Sequence, residues 1–199
     1  MSKTLKTILI IVGIALVLGV IMISPYNKMV QKDESCSKAW ADVENAYQRR
    51  MDLIPNLVKT VQGAAEYEKG TLTEVIEARA KATSVQVDPS NLTEESIAKF
   101  QAAQDQLSSA LSRLMVVIER YPELKANENF LELQAQLEGT ENRIAVERGK
   151  FNEVVNDYNS YIRRFPNNIV AGMFNFEKKG YFKAAEGADK APEVEFNFN

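Results

Sequence analysis

The fold is decided by residues 93–121, which read TEESIAKFQAAQDQLSSALSRLMVVIERY. Two series repeat here at seven-residue steps: Ile97, Gln104, Leu111 and Ile118, and Phe100, Leu107, Leu114 and Tyr121. This spacing places both series on one face of an α-helix, as in a seam that packs against other helices. Thr93 can cap the helix N-terminus, where the helix dipole favours the carboxylates of Glu94 and Glu95. Pro122 should end or kink the helix.

Two other stretches have the same periodicity. Residues 127–165 carry a seven-residue series of Phe130, Leu137, Ile144, Phe151, Tyr158 and Phe165. Residues 28–84 begin with a series of Trp40, Tyr47, Ile54 and Val61. Beyond residue 27, no stretch shows the alternation of a β-strand. The predicted fold class is therefore all-α, an antiparallel bundle of three to four long helices.

Residues 28–84 leave two topologies open. Pro55 lies inside their pattern and should kink the helix, and Gly63 and Gly70 are weak points at which the chain could fold back. Helical spacing nevertheless resumes from Leu72 to Arg79 without a strong turn signal, up to a loop at about residues 85–92. We therefore expect one unbroken helix to about Ser84 and a chain that runs up, down and up.

The N-terminus predicts a membrane anchor. No charged residue occurs from Thr7 to Asn27, and residues 8–23 are apolar without interruption. At 1.5 Å per residue, about 20 helical residues cross a hydrocarbon core of roughly 30 Å. No small-x-small cleavage site follows the run, so we expect an uncleaved single-pass helix. Lysines flank both sides almost equally, which leaves the orientation undecided by charge.

Composition narrows the class of function. The chain has 199 residues with no histidine and one cysteine, Cys36, which excludes Ser-His and Cys-His dyads and intrachain disulfides. The formal net charge of −3 argues against a nucleic-acid partner. We therefore expect no catalytic, metal-binding or cofactor-binding residues and no cofactor.

The predicted domains are an anchor at 1–27, a bundle at 28–174, and an aromatic, lysine-bearing and then flexible tail at 175–199.

Several blocks resemble one known family. They include Ala39 to Glu44, the sequence YQRRMDLIPNLV at 47–58, and LEGTENRI at 137–144. With these blocks the chain resembles the LemA family of bacterial membrane-anchored helical proteins. The resemblance implies an N-terminal transmembrane helix in the bacterial inner membrane and an antiparallel bundle that faces the cytoplasm. It also implies a role in organising membranes, since some relatives help to build magnetosome membranes, and it supplies no catalytic residue.

Polar residues at seam positions are candidates for a polar core. Arg50 and Glu147 each occupy a slot where an aliphatic residue is expected. A buried ion pair or hydrogen-bonded layer there could fix the helix register. Alternatively, a kink at Pro55 could turn Arg50 outward. Three further candidates for the polar core or for an interaction lie in the blocks that carry the resemblance: Asp52, Asn142 and Arg143.

The tail is the second candidate site. Residues 165–183 hold five of the sixteen Phe and Tyr residues of the chain, beside three lysines. These aromatic candidates are Phe165, Phe174, Phe176, Tyr181 and Phe182. Such a segment is typical of an interaction surface that docks on the bundle or touches lipid. The three-leg topology favours docking, because it places the tail far from the membrane.

These features favour a single-pass membrane scaffold or adaptor that organises or recruits other proteins. The lipid bilayer is its expected partner through the N-terminal helix, with an unidentified protein partner or a homo-oligomer besides. The alternatives are direct remodelling of the membrane by assembled bundles and, remotely, an enzyme that works without histidine.

Overall fold

The computed structural model describes residues 2–62 and 69–183, and within these residues there is no β-strand. Six helices make up most of this part: α1 (Lys3–Gln62), α2 (Lys69–Ser84), α3 (Glu94–Ile118), α4 (Pro122–Lys125), α5 (Glu128–Arg163) and α6 (Asn167–Met173). The all-α fold class is confirmed.

The two best-predicted helices begin at capping side chains. The Thr93 hydroxyl accepts a hydrogen bond from the Ser96 N–H at 3.1 Å, ahead of α3. The Asn127 side-chain oxygen accepts one from the Phe130 N–H at 3.2 Å, ahead of α5. Each cap satisfies an N–H that lacks a partner inside its helix. Pro122 is the first residue of the one-turn helix α4, a position that tolerates its missing N–H.

The second helix folds back along the first. The Arg79 Nε donates a hydrogen bond to the Met51 carbonyl at 2.9 Å, and further along the chain the Ser37 hydroxyl donates to the Pro89 carbonyl at 3.2 Å. These contacts require α2 to run antiparallel to α1. The expected unbroken helix to Ser84 is therefore wrong, although α1 does continue through Pro55. The predicted weak point at Gly63 and the rest of residues 63–68 lie outside the described residues.

The remaining long helices complete four legs. An ion pair between Arg113 and Glu74 joins α3 to α2, and α3 runs antiparallel to α2. On the opposite side, α5 packs along α1, where the Cys36 thiol contacts the Val154 carbonyl at 3.9 Å. The legs therefore run up, down, up and down. This even number returns the C-terminal part of the chain to the end of the bundle at which α1 enters it.

The core divides into two clusters along the bundle axis. The lower core lies nearer the N-terminal end of α1 and includes Met29, Cys36, Trp40, Tyr47, Phe100, Ile144, Phe151 and Phe182. The upper core lies beyond it and includes Met51, Ile54, Leu57, Val75, Leu107, Leu114, Phe130 and Leu137. Most of these residues belong to the seven-residue series, as the sequence predicts.

The N-terminal part of α1 extends beyond the bundle. It exposes an array of apolar side chains that includes Ile8, Leu9, Ile10, Ile11, Val12, Ile14, Leu16, Val20 and Ile23. Over residues 2–62 and 69–183, however, no helix has both the length and the apolarity needed to cross a membrane. The predicted transmembrane helix is therefore unsupported.

Candidate functional site

Arg50 forms the centre of a polar layer between the lower and upper cores. Its side chain is only 2% exposed. The guanidinium donates hydrogen bonds to the Glu141 carboxylate at 2.8 Å, the Ser108 hydroxyl at 2.7 Å and the Gln104 side-chain oxygen at 2.9 Å. Its carbon lies 5.1 Å from the centre of the Tyr47 ring, within range of a cation–π contact. One side chain thus joins α1, α3 and α5.

Glu147 does not belong to this layer. It is buried on α5, where it pairs with Arg143 at 2.7 Å and Lys150 at 3.1 Å. The suggested pairing of Arg50 with Glu147 is therefore wrong. Glu141 is the partner of Arg50 instead. It lies six residues before Glu147 in α5, a displacement of about 9 Å along the helix axis.

The other polar candidates lie on the surface. Asp52 is exposed and accepts a hydrogen bond from Gln48 at 2.7 Å, and Asn142 is exposed on α5. Asp52 and Arg143 both line a groove between α1 and α5. These residues are therefore separate from the buried layer around Arg50.

A second site is the C-terminal strap, residues 175–183, which lies in the groove between α3 and α5. Two asparagines of α5 bind its backbone. The Asn159 side chain accepts from the Lys179 N–H and donates to the Lys179 carbonyl, both at 2.9 Å. Asn152 makes the same pair of bonds with Phe182, also at 2.9 Å. Each side-chain amide thus supplies one acceptor and one donor to backbone groups of the strap that would otherwise lack hydrogen-bond partners.

On its other side, the strap contacts the start of α3. The Gly180 N–H donates to the Leu92 carbonyl at 2.9 Å. A Cβ atom at Gly180 would lie 2.5 Å from the Glu94 Cα, so a side chain cannot be accommodated without movement of the backbone. Further along, Gln101 pairs with the Lys183 backbone in the same two-bond manner, at 3.1 and 3.0 Å.

The strap also completes the lower core. Phe182 is buried, and its ring stacks on Trp40 with 5.8 Å between centroids and 10° between planes. Phe151 and Phe100 meet Trp40 edge-on at 5.6 and 5.1 Å. Four aromatic rings from α1, α3, α5 and the strap therefore form one contact, and the strap is part of the folded bundle.

A buried charge accompanies these rings. Lys179 is almost fully buried, and its ammonium pairs with Asp33 of α1 at 2.8 Å and lies 5.4 Å from the centre of the Tyr158 ring. Burial raises the pKa of the neighbouring Cys36 thiol to about 11, and it also raises the pKa of the Tyr158 hydroxyl. The Tyr158 hydroxyl donates a hydrogen bond to the strap at the Glu177 carbonyl, at 3.0 Å.

The five predicted aromatic residues of the tail have different surroundings. Phe182 is buried, Phe176 is half-buried against the lower core, and Tyr181 is partly exposed. Phe165 and Phe174 point outward. The strap therefore docks on the bundle, but the reason given for docking was wrong, because the strap lies at the end of the bundle where α1 extends beyond it.

Some residues of these sites gave little signal in the sequence. Asn152 and Asn159 look like ordinary polar residues of a helix, and only the strap backbone gives them a function. Gln104 did give a signal, as the polar member of a seven-residue series that is otherwise apolar.

Within residues 2–62 and 69–183, no cluster of carboxylate or thiol side chains could hold a metal ion.

The fold and these contacts define a class: helical-bundle proteins in which the first helix extends outward and a C-terminal strap closes the bundle. A model described as "LemA family" matches residues 39–196, about four-fifths of the chain. The chain belongs to the LemA family.

The similar proteins come from bacteria. Protein LemA of Metamycoplasma hominis is 23% identical, over 80% of this chain and 69% of its own length. Magnetosome protein MamQ 2 of Paramagnetospirillum magneticum is 25% identical, over 82% of this chain and 66% of its own length. Magnetosome protein MamQ of Magnetospirillum gryphiswaldense has the same identity and coverage.

Proposed function

We propose that this protein is a membrane-anchored helical scaffold or adaptor that organises or recruits other proteins. The observation that carries the proposal is the continuity of α1, which runs as one helix from its exposed apolar part into the bundle. A continuous helix transmits position and orientation, whereas a flexible linker does not. Such a helix would hold the bundle at a set distance from the surface in which its apolar part is embedded.

One observation supports lipid as that surface, and a second supports an organising role. The exposed apolar side chains of α1 fall within a stretch free of charge from Thr7 to Asn27, and an exposed apolar array of this size is unfavourable in water. Three relatives are named magnetosome proteins, which favours an organising role. The specific form that we propose is a single-pass anchor in the bacterial inner membrane, with the bundle in the cytoplasm.

The anchor can be tested in the full chain by extraction of cell membranes with alkaline carbonate. We expect the wild type to stay with the membrane and a variant with Ile11→Lys and Ile14→Lys to be released, because each lysine at the centre of a membrane helix costs about 2.5–3.5 kcal/mol. The matched control carries Ile76→Lys and Val146→Lys, two exposed apolar positions on the bundle. Release of the wild type itself would refute the anchor.

The scaffold role calls for a separate experiment. The tagged full chain is purified from its own membranes in mild detergent, and its mass is measured under native conditions. A stoichiometric foreign protein supports the adaptor. A large homo-oligomer that deforms vesicles supports membrane remodelling instead, and turnover of a small molecule by the pure chain would refute the non-catalytic proposal.

A further inference from the structure

The helix α6 lies where α1 leaves the bundle. The Tyr26 ring of α1 contacts the rings of Phe174 and Phe176, with centroids 4.8 and 5.7 Å apart. On its inner side, α6 buries Val170 and Ala171 in the lower core. Tyr26 directly follows Pro25 in α1. The outer side of α6 is therefore next to the exposed apolar part of α1.

An apolar stripe runs along this outer side. Phe165, Ile169 and Met173 follow one another at intervals of four residues and are 81%, 53% and 63% exposed. Ile169 and Met173, four residues apart in α6, lie on one face of that helix, and Phe165 precedes them in the turn between α5 and α6. Phe174, also exposed, extends the stripe to Tyr26. Isolated exposed apolar residues are common in proteins, whereas a continuous group of them marks a contact surface. These four residues constitute the α6 patch.

Basic side chains surround the α6 patch. Lys28, Arg163, Arg164 and Lys178 are exposed, and in the described part of the chain none of them has an ion-pair partner. The lysines farther up the bundle differ, because Lys32, Lys179 and Lys183 pair with Asp157, Asp33 and Glu94. Glu177 is the one exposed carboxylate within the strap. The unpaired charge beside the patch is therefore mainly positive.

We propose that the α6 patch is a second lipid contact, which rests on the surface of an anionic bilayer beside the inserted part of α1. The apolar stripe enters the region between headgroups and acyl chains, and the four cations meet anionic headgroups, a combination typical of interfacial helices. This inference rests on the proposed anchor. A single inserted helix can still tilt in the bilayer and rotate about its axis, carrying the bundle with it, whereas two contacts at separate points set the orientation of the bundle relative to the bilayer.

The test places an environment-sensitive fluorophore on the full chain, reconstituted in vesicles of phosphatidylcholine and phosphatidylglycerol in equal amounts. Met173→Cys carries the probe on the patch, and Val116→Cys carries it at an exposed apolar position at the far end of α3. The wild type is the labelling blank, since its one thiol is buried. We expect blue-shifted emission and strong quenching by nitroxide-labelled lipid at 173 and neither at 116.

Further outcomes separate this inference from the anchor. If the chain resists carbonate and the probe at 173 behaves like the probe at 116, the α6 contact is refuted and the anchor stands. If carbonate releases the chain, the anchor fails, and quenching at 173 then decides the α6 contact independently. A blue shift at 173 that depends on protein concentration, without quenching by lipid, would show that a second copy covers the patch and would also refute the inference.

The charge component is tested with Arg163→Gln and Arg164→Gln together. This pair should reduce quenching at 173 severalfold in the mixed vesicles and leave it unchanged in pure phosphatidylcholine. The control pair, Arg49→Gln and Arg113→Gln, lies on other faces of the bundle and should change neither. An equal loss in both kinds of vesicle would refute the role of anionic headgroups.

Discussion

The layer around Arg50 makes a specific prediction about its partners. Replacing Arg50 with Met keeps an unbranched side chain of similar length but removes the donors to Gln104 and Ser108. The Gln104 side chain is buried and would lose the bond that now satisfies its oxygen. A buried polar group without a partner costs about 1–3 kcal/mol. We therefore expect Arg50→Met to lower the free energy of unfolding by that amount.

The partners of Arg50 should differ from one another. Glu141 is 57% exposed, so its ion pair with Arg50 resembles a surface pair, and Glu141→Gln should cost only about 0.2–1 kcal/mol. Gln104→Leu leaves the buried guanidinium short of its acceptor and should cost more, up to roughly 3–5 kcal/mol for a buried charge that loses its partner. The burial of Arg50 and Gln104, more than the ion pair, thus determines the energetics of the layer.

The double variant is the sharpest test. Arg50→Met with Gln104→Leu removes both buried polar groups, and Arg50 Nε and Gln104 Nε2 already lack hydrogen-bond partners among the described residues. Replacing a buried polar group and its partner with apolar residues is often neutral or stabilising by about 1–4 kcal/mol. The double variant should therefore be at least as stable as the wild type, although each single variant is less stable.

Unfolding by urea of the full chain in mild detergent can be followed by fluorescence, because Trp40 is the only tryptophan and is buried in the lower core. Arg49→Met, an exposed neighbour, is the control and should stay within about 0.5 kcal/mol of the wild type. Additive losses in the double variant would refute the reasoning. So would a coupling of Arg50 to Glu147 as large as its coupling to Glu141.

Three further predictions concern the strap and the lower core. Gly180→Ala should release the strap and speed amide hydrogen exchange at 176–183, whereas Gly172→Ala, which has open space, should not; equal exchange in both would contradict the close approach. Phe182→Ala should shift Trp40 emission to longer wavelength, because the stacked ring covers the indole; unchanged emission would contradict the stacking. The Cys36 thiol should resist thiol reagents at pH 8 in the native state. Burial raises its pKa from 9.0 to about 11, so the unfolded chain loses the proton first and stability should fall as the pH rises between these values. Fast native labelling would contradict this.

The sequence predicted the helices well where local signals mark them. The predicted cap at Thr93 is confirmed at the start of α3, and the seven-residue series predicts the residues that face the core. The fold-back between α1 and α2 was missed because helical spacing resumes at Leu72 in a phase that suits either topology. A helix repeat reports which face is buried, and it does not report what covers that face.

The candidate sites show the same limit. The slot of Arg50 marked it as unusual, but its partner depends on how far α5 is displaced along α1, and the seven-residue repeat leaves that displacement open. Asn152 and Asn159 bind the backbone of the strap, and a hydrogen bond to backbone does not depend on the side chain of the residue that is bound. Local pattern therefore identified Arg50 and the aromatic tail, while their partners depended on tertiary register.

The number of legs has a consequence for function. With three legs, the tail would have ended at the upper core, away from the apolar part of α1. With four, α5 descends beside α1, and α6 and the strap come to lie at the end of the bundle where α1 extends outward. The strap backbone is hydrogen-bonded to side chains of α5 at Lys179 and Phe182 and to Gln101 of α3 at Lys183, so α6 cannot move far from that end while the bundle is folded. The upper end carries the last residues of α1, the first residues of α2 and the connection from α3 to α5 through α4. If lipid occupies the lower end, the upper end is the part of the bundle that faces away from it, and the partner of a scaffold should be sought there.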